Sequence, residues 1–235
     1  MSKKSLSDLA AKYDTDKGIH KSPTRDTFGH GYTQIYEKFF EHLVDKEIKL
    51  LEIGVLYGSS LKMWNEYFSK GRIYGVDLFG GRISPEIKKE IEIDMGSKGI
   101  EIMQADQHYR EELQKVIDNF GSDYDIIIDD GSHWNDDIRI TLGFLFKHVK
   151  PGGFYIVEDA HWGEHKNKAK KNQTPESFIR HPHRVTSITH LAASWRAIGK
   201  FECPLMLKEE REYLCNNVRT WGSVVDGKIN IIQKL

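Results

Sequence analysis

The sequence predicts an α/β protein built on a doubly wound, Rossmann-like and mostly parallel β-sheet. Short apolar segments alternate along the chain with longer segments whose apolar residues recur at helical spacing. Glycines mark the returns between them, and four of the apolar segments end at or near an acidic residue. Such alternation gives a parallel sheet with right-handed crossovers, and ligands bind at the carboxyl ends of its strands.

The predicted elements follow this alternation in order. A helix over residues 31–44, with its Tyr, Ile, Phe and Leu side chains on one stripe, forms an N-terminal helical extension. Strands rich in Ile, Leu, Val and Tyr are predicted over residues 49–55, 72–78, 100–106, 124–130 and 153–159. The helices predicted between them cover residues 59–68, 85–95, 111–120 and 136–148.

The pattern changes after residue 160. Residues 161–185 are rich in Lys, His, Asn and Gln, and we expect a lid insertion there. A helix is predicted over residues 187–198, and Asp226–Gly227 between the strand-like runs 220–225 and 229–235 predicts a hairpin. We expect one domain, 1–235, divided into an N-terminal helical segment (1–48), a binding core (49–160), the lid (161–185) and a C-terminal helix and hairpin (186–235).

Charge and composition exclude several classes of function. The chain has 34 Lys and Arg against 35 Asp and Glu, so no general positive field attracts nucleic acid or an anionic membrane. Cys203 and Cys215 are too few for a disulfide framework and lack the spacing of a structural zinc site. No apolar run suits a membrane span or a secretory leader. We therefore expect a cytoplasmic protein without nucleic-acid or membrane partners, and a homo-oligomer stays open.

A glycine-containing turn follows the first predicted strand. It includes Glu52, Gly54, Tyr57 and Gly58, and it opens a helix whose N-terminus can bind a negative group. The glycine spacing is G-x-x-x-G, not the G-x-G-x-x-G of dinucleotide-binding proteins. This spacing favours a ligand with a carboxylate and an amine over a pyrophosphate, although the glycines could equally serve strand-to-helix packing.

Polar residues at the ends of the next two strands extend this pattern. Asp77 ends the second strand, where a carboxylate can accept both hydroxyls of a ribose. Asp106 and Gln107 end the third strand, in a position suited to an adenine edge. Each could singly be a solvated loop residue. Together on successive strand ends, they favour a nucleoside-containing cofactor.

Carboxylates also gather after the fourth and fifth strands. Consecutive strand residues face opposite ways, so Asp129 and Asp130 cannot both face one site, and Asp130 is nearer the loop. Glu158 and Asp159 end the neighbouring strand. Three unpaired carboxylates would repel one another, and a divalent cation relieves that repulsion. Because all of these candidate ligand atoms are oxygens, the set Asp130, Glu158 and Asp159 favours Mg²⁺ or another hard cation. The simpler interpretation is a helix-capping Asp and a surface pair of acids.

His133 follows Asp130 in the same loop and is the candidate general base. An imidazole titrates near neutral pH, which suits it to accept a proton from a substrate beside a metal site. A loop histidine that only binds backbone groups is the alternative. The histidines after residue 160 show no strong zinc spacing.

These motifs resemble the class I S-adenosylmethionine-dependent methyltransferases. Within them, Asp130-Gly131-Ser132-His133 followed by Glu158-Asp159 is similar to the metal-dependent sugar O-methyltransferases of the macrocin and mycinamicin type. The resemblance covers about residues 9–162. It implies the class I fold, S-adenosylmethionine around the glycine turn, Mg²⁺ held by three acids, His133 as base, and a small-molecule or saccharide acceptor.

Three alternatives remain open at this stage. A catechol-type O-methyltransferase uses a similar acid triad on an aromatic diol. A nicotinamide-dependent Rossmann oxidoreductase is disfavoured by the glycine spacing. A non-catalytic cofactor-binding module is disfavoured by the intact set of acids and histidine. Cofactor titration distinguishes the oxidoreductase, and the acceptor itself is not encoded in a recognisable motif.

Overall fold

The computed structural model describes residues 5–81, 83–160, 188–201, 203, 205–225 and 228–235. The chain divides into two compact units, Met1–Gln104 and Ala105–Leu235. The strands form a mostly parallel seven-stranded sheet with flanking helices, so the predicted fold class is confirmed.

The first unit contains the N-terminal helices and three parallel strands. Strand β1 pairs in parallel with β2, and β2 pairs in parallel with β3. The elements are α1 (Leu6–Lys12), α2 (Thr33–Phe40), a 3₁₀ turn (Glu41–Leu43), β1 (Lys49–Ile53), α3 (Ser59–Tyr67), β2 (Arg72–Asp77), α4 (Pro85–Ser97) and β3 (Glu101–Gln104).

Aromatic side chains form much of the core of this unit. The Trp64 ring of α3 lies 5.5 Å from Tyr36 and 6.1 Å from Phe40, both on α2. All three are fully buried, so α2 and α3 share one apolar interface. This contact explains why the predicted stripe of residues 31–44 is apolar.

The second unit contains two parallel strands and an antiparallel pair. Strand β4 pairs in parallel with β5, β5 pairs antiparallel with β7, and β7 pairs antiparallel with β6. The elements are α5 (Arg110–Phe120), β4 (Tyr124–Asp129), α6 (Asn135–Leu145), a 3₁₀ turn (Phe146–His148), β5 (Val149–Val157), α7 (Ile188–Ile198), α8 (Lys208–Asn217), β6 (Val218–Val224) and β7 (Ile229–Lys234).

Several predicted elements differ in detail from those observed. The predicted C-terminal strands pair as β6 and β7, and β6 begins at Val218. Helices α1 and α8 were not predicted as separate elements. The predicted lid, 161–185, and the turn Asp226–Gly227 lie outside the described residues, and the domain division stays a prediction. Among the helices that the structure describes, none is both long and apolar enough to cross a membrane.

Candidate functional site

The glycine turn, residues 54–58, joins β1 to α3 in the first unit. Gly54 has a φ of 99° and donates its N–H to the carbonyl oxygen of Val76 at 2.8 Å. Gly58 has a φ of 74° and caps α3 in the left-handed conformation. A Cβ atom at Gly58 would lie 2.7 Å from the Cε atom of Met95. Backbone conformation and packing therefore both require glycine at this position.

Asp77, the predicted ribose ligand, holds the glycine turn to the end of β2. Its Oδ2 atom accepts the backbone N–H groups of Val55 at 2.8 Å and Leu56 at 2.9 Å. Its Oδ1 atom accepts the backbone N–H of Phe79 at 2.7 Å. A carboxylate has about four accepting positions, so three are used within the chain. Asp77 therefore shapes the turn.

Glu52 lies on β1, two residues before Gly54, and is completely buried. Its Oε2 atom accepts the indole N–H of Trp64 at 2.6 Å, and its Oε1 atom lies 3.4 Å from the Nζ atom of Lys17. Lys17 is also buried, so this is an interior ion pair. In contrast, Tyr57 on the turn is half exposed.

Asp106 and Gln107 lie at the start of the second unit. Asp106 accepts the backbone N–H of His108 at 2.9 Å. The buried Gln107 amide donates to Asp129 and to a threonine hydroxyl of α6, both at 3.1 Å, and its Oε1 atom accepts the backbone N–H of Ser132 at 2.7 Å. Gln107 thus fixes the loop after β4, a positioning role that the sequence did not indicate.

Asp129 is the inward-facing acid at the end of β4. It is almost fully buried, accepts the amide of Gln107 and lies 3.3 Å from the hydroxyl of Tyr155. Burial raises the pKa of Asp129 to about 7, against the lowering effect of these hydrogen bonds. Asp129 is not part of the group formed by Asp130, His133 and Asp159.

Asp130, His133 and Asp159 form the acid–histidine cluster. Each offers one ligand atom, and the three atoms lie within 4.8 Å of one another. Strands β4 and β5 are parallel neighbours, so their carboxyl ends bring the two acids together. His133 and Asp159 have left-handed φ values of 59° and 49°. Backbone strain of this kind is often found at functional sites.

Glu158 and Asp159, both predicted as metal ligands, are placed differently in the structure. Glu158 precedes Asp159 directly, is almost fully buried and is not part of the acid–histidine cluster. Its backbone N–H donates to the carbonyl oxygen of Asp129 at 2.9 Å, which continues the strand pairing by one residue. The left-handed turn at Asp159 then separates the two acids. The structure groups His133 with the acids instead.

Asp137 of α6 and His108, which precedes α5, help to hold the loop that carries His133. The Ser132 hydroxyl donates to Asp137 Oδ2 at 2.6 Å, and the backbone N–H of Trp134 donates to the Ser132 hydroxyl at 3.1 Å. His108 contacts the second oxygen of Asp137. These bonds fix the backbone on both sides of His133 before any ligand binds.

The acid–histidine cluster has the chemistry of a divalent-cation site. Two carboxylates and an imidazole are common ligands of hard and borderline divalent cations. The Nδ1 atom of His133 is buried and has no hydrogen-bond partner in the described part of the chain. A buried polar atom without a partner is costly, and a ligand or a substrate proton would satisfy it. The residues present therefore fit a cation.

Comparison with known proteins relates this geometry to characterised enzymes. No protein-family model matches the chain. It is 34% identical over 172 residues to mycinamicin VI 2''-O-methyltransferase of Micromonospora griseorubida, which covers 68% of this chain and 38% of that protein. It is 35% identical over 143 residues to demethylmacrocin O-methyltransferase of Streptomyces fradiae, covering 57% of this chain and 33% of that protein.

A solved structure agrees with these relatives over nearly the whole chain. The methyltransferase MycE of the mycinamycin biosynthetic pathway, in complex with Mg, SAH and mycinamycin VI, superposes with a TM-score of 0.69 at 26% identity. The match covers 99% of this chain and 55% of that chain. The chain belongs to the class I S-adenosylmethionine-dependent methyltransferases. This methyltransferase chain spans little more than a third of the curated relatives it matches.

Proposed function

We propose that this methyltransferase chain transfers the methyl group of S-adenosylmethionine to a hydroxyl of a sugar or glycosylated small molecule. The observation that carries the proposal is the acid–histidine cluster, which joins potential metal ligands to a potential base. Support comes from relatives named for O-methylation of glycosylated natural products. MycE, which is similar to this chain, was solved with Mg and SAH.

For the cofactor, we propose the residues that the sequence indicated. In the first unit, the left-handed Gly58 begins α3, whose free N–H groups suit a carboxylate, and the exposed Tyr57 is available for contact. Asp77 keeps an accepting position for a ribose hydroxyl. The remaining proposed cofactor residues are Glu52, Gly54, Asp106 and Gln107.

For the cation, we propose Asp130 and Asp159 as ligands, with Glu158 as the further acid that the sequence indicated. Mg²⁺ is the expected ion because carboxylate ligands suit it. A bound divalent cation lowers the pKa of a coordinated hydroxyl, which is the chemistry that an alcohol acceptor requires.

His133 is the proposed general base. Its buried Nδ1 atom has no hydrogen-bond partner among the described residues, and its ring belongs to the acid–histidine cluster. His133 accepts the hydroxyl proton while the acceptor oxygen bonds to the methyl carbon. The carbon–sulfur bond breaks at the same time, so S-adenosylhomocysteine leaves with the sulfur electron pair. The fixed loop around His133 holds the imidazole for this transfer.

We also propose a cytoplasmic setting and a small-molecule acceptor. Both cysteines, Cys203 and Cys215, are free thiols, which suits a reducing compartment. The near-zero net charge gives no attraction to nucleic acid or anionic membranes. A homo-oligomer remains part of the proposal without a surface assigned to it.

A methyl-transfer assay with labelled S-adenosylmethionine tests the proposal. The acceptor panel contains macrolide glycosides, free hexoses and a catechol, with Mg²⁺ or with EDTA. We expect label in glycosides only, and only with Mg²⁺. His133→Ala should lower the rate about 10²- to 10⁴-fold, the usual effect of losing a positioned base. His42→Ala, a change at an exposed histidine, is the matched control.

Three results would contradict this function. Full transfer in EDTA would exclude the metal. Transfer to the catechol alone would favour the aromatic alternative. Binding of NAD without binding of S-adenosylmethionine would favour an oxidoreductase, and cofactor binding without transfer to any acceptor would favour a non-catalytic module.

A further inference from the structure

Two buried side chains in the first two turns of α6, Asn135 and Arg139, carry polar atoms without partners among the described residues. Asn135 is 4% exposed and Arg139 is 3% exposed. The Nδ2 and Oδ1 atoms of Asn135 and the Nε and Nη2 atoms of Arg139 have no hydrogen-bond partner in the part of the chain that the structure describes. The two residues are four positions apart, so they lie on the same face of the helix. Four unpaired polar atoms therefore share one buried stripe.

The unpaired atoms of Arg139 have a specific geometry. Nε and Nη2 lie on the same edge of the planar guanidinium, and that edge binds two oxygens of a carboxylate or phosphate in parallel. Among the described residues, no carboxylate forms an ion pair with Arg139. Burial lowers the pKa of Arg139, and the side chains of Cys203 and Asp136 partly oppose that shift. Neither of them hydrogen-bonds to this edge.

Burial makes this arrangement unfavourable without an anion. Desolvation lowers the pKa of Arg139, although a guanidinium stays protonated in proteins. A buried guanidinium edge without an acceptor costs more than a paired one, even with the charge of Asp136 nearby, and the described residues offer this edge no oxygen. An anion that occupied the edge would supply the missing charge and two acceptors.

The stripe adjoins the acid–histidine cluster along the chain. Asn135 follows His133 by two residues and begins α6. Arg139 lies about 6 Å further along the helix axis, at 1.5 Å per residue. One sugar ring spans a comparable distance, so a single acceptor could contact both Asn135 and Arg139. The positive end of the α6 dipole also favours an anion here.

We propose that Asn135 and Arg139 form an acceptor subsite for an anionic substituent, so that the acceptor is an acidic sugar bearing a carboxylate or a phosphate. The carboxylate or phosphate binds the Nε and Nη2 edge of Arg139, and the Asn135 amide pairs with a neighbouring hydroxyl. This inference rests on the proposed function and names its substrate class.

Calorimetry on the full chain with Mg²⁺ and S-adenosylhomocysteine tests the subsite. The probes are methyl glucuronide, glucose 1-phosphate, inorganic phosphate and the neutral methyl glucoside. We expect one acidic sugar to bind at least about 10-fold more tightly than methyl glucoside, and the two acidic probes distinguish carboxylate from phosphate. Arg139→Met should lower that affinity about 10- to 100-fold. Arg219→Met, a change at an exposed arginine, should not alter it.

Stability separates a ligand-binding role from a structural one. Without ligand, Arg139→Met should melt at the same temperature as the wild type or higher, because it removes an unpaired buried charge. Arg139→Lys keeps the charge but loses the two-donor edge, so it should fold and still lose the preference for the acidic sugar. Clearly lower melting temperatures for both variants would assign Arg139 to the core and overturn the inference.

The remaining outcomes distinguish this inference from the proposed function. Equal methyl transfer to neutral and acidic sugars, unchanged in Arg139→Met, would overturn the subsite and leave the methyltransferase intact. Arg139-dependent binding of acidic sugars without transfer to any sugar would contradict the proposed function and keep the anion site. Inorganic phosphate binding as tightly as both acidic sugars would overturn the acceptor assignment.

Discussion

The glycine turn and the segment from Asp130 to Arg139 are built on opposite principles. In the glycine turn, Asp77 accepts three backbone N–H groups. In the second segment, three side chains carry five buried atoms that have no partner among the residues described: His133, Asn135 and Arg139. Buried polar atoms are normally paired, so unpaired ones need an explanation. We infer that hydrogen bonds within the chain satisfy the glycine turn, whereas the segment from Asp130 to Arg139 requires a ligand to pair its buried atoms.

Backbone strain follows the same division. Leu56 in the glycine turn has a φ of 47°, and its N–H is held by Asp77. His133 and Asp159 are also left-handed, yet both belong to the acid–histidine cluster. Strain at Leu56 is offset by hydrogen bonds within the chain. At His133 and Asp159 it accompanies groups that could hold a cation.

Removing Lys17 should give the largest effect on stability. Lys17→Met leaves the Glu52 carboxylate buried without its cation, which costs about 3 to 5 kcal/mol of unfolding free energy. Urea denaturation measures this loss. The double variant with Glu52→Gln should recover much of it, because no buried charge remains.

Lys62→Met is the matched control for this experiment. Lys62 pairs with Asp94 at 3.2 Å near the surface, so its loss should cost less than about 1 kcal/mol. Equal effects of Lys17→Met and Lys62→Met would mean that the glycine turn does not depend on its buried ion pair.

Cation affinity should distinguish the two acids that follow β5. Asp159→Asn removes a member of the acid–histidine cluster and should weaken Mn²⁺ or Mg²⁺ binding about 10- to 100-fold, since even outer groups of metal sites have effects of this size. Glu158→Gln, at an acid outside that cluster, should weaken it less. Calorimetric titration measures both. Equal losses in the two variants would favour the three-acid set predicted from the sequence, and a larger loss in Glu158→Gln would contradict the expected order.

The sequence predicted most of the fold because its strands and helices differ clearly in periodicity. It did not predict α8 as a separate helix. Only Glu210 and Leu214 of that helix are buried, so its apolar stripe is too sparse to recognise. Strand β6 begins at Val218, before the apolar run that marked it in the sequence.

The sequence could predict the orientation of site residues only as far as the ends of the regular strands. Alternation along a strand separated Asp129 from Asp130, but it cannot follow a left-handed turn, so the different placements of Glu158 and Asp159 required the structure. The positioning role of Gln107 and the unpaired edge of Arg139 were not recognisable either. Their roles depend on which groups other segments bring near them, and sequence spacing does not report that.

Changing Asp77 should affect both stability and cofactor binding. Asp77→Asn replaces charge-assisted acceptors of three backbone N–H groups by neutral ones, at a cost of about 1 to 2 kcal/mol. It should also weaken S-adenosylhomocysteine binding. Denaturation and calorimetry measure the two effects. Asp118→Asn, at an exposed position of α5, is the control, and an unchanged Asp77→Asn protein would show that the turn forms without this carboxylate.

His148 offers the smallest effect and tests whether every unpaired buried atom implies a ligand. His148 ends the 3₁₀ turn before β5, and its Nδ1 atom lies 3.0 Å from the Ser122 hydroxyl. Its Nε2 atom is buried and has no hydrogen-bond partner among the described residues. Burial, with the nearby charges of Lys147 and Lys234, lowers the pKa of His148 to about 4. No acidic cluster accompanies it among the described residues.

The lowered pKa fixes the sign of the pH dependence. Below about pH 6.5 the unfolded chain protonates His148 while the folded protein does not, so stability falls as pH falls toward 4. His148→Gln should therefore lose less stability than the wild type between pH 7.5 and 5, by about 1 kcal/mol after allowance for partial exposure. The raised pKa of Asp129 acts in the opposite direction, so the variant must be compared with the wild type at each pH. Unchanged cation affinity in His148→Gln would show that the unpaired Nε2 atom affects stability and not cation binding. Identical pH profiles of stability for the variant and the wild type would contradict the predicted effect of His148.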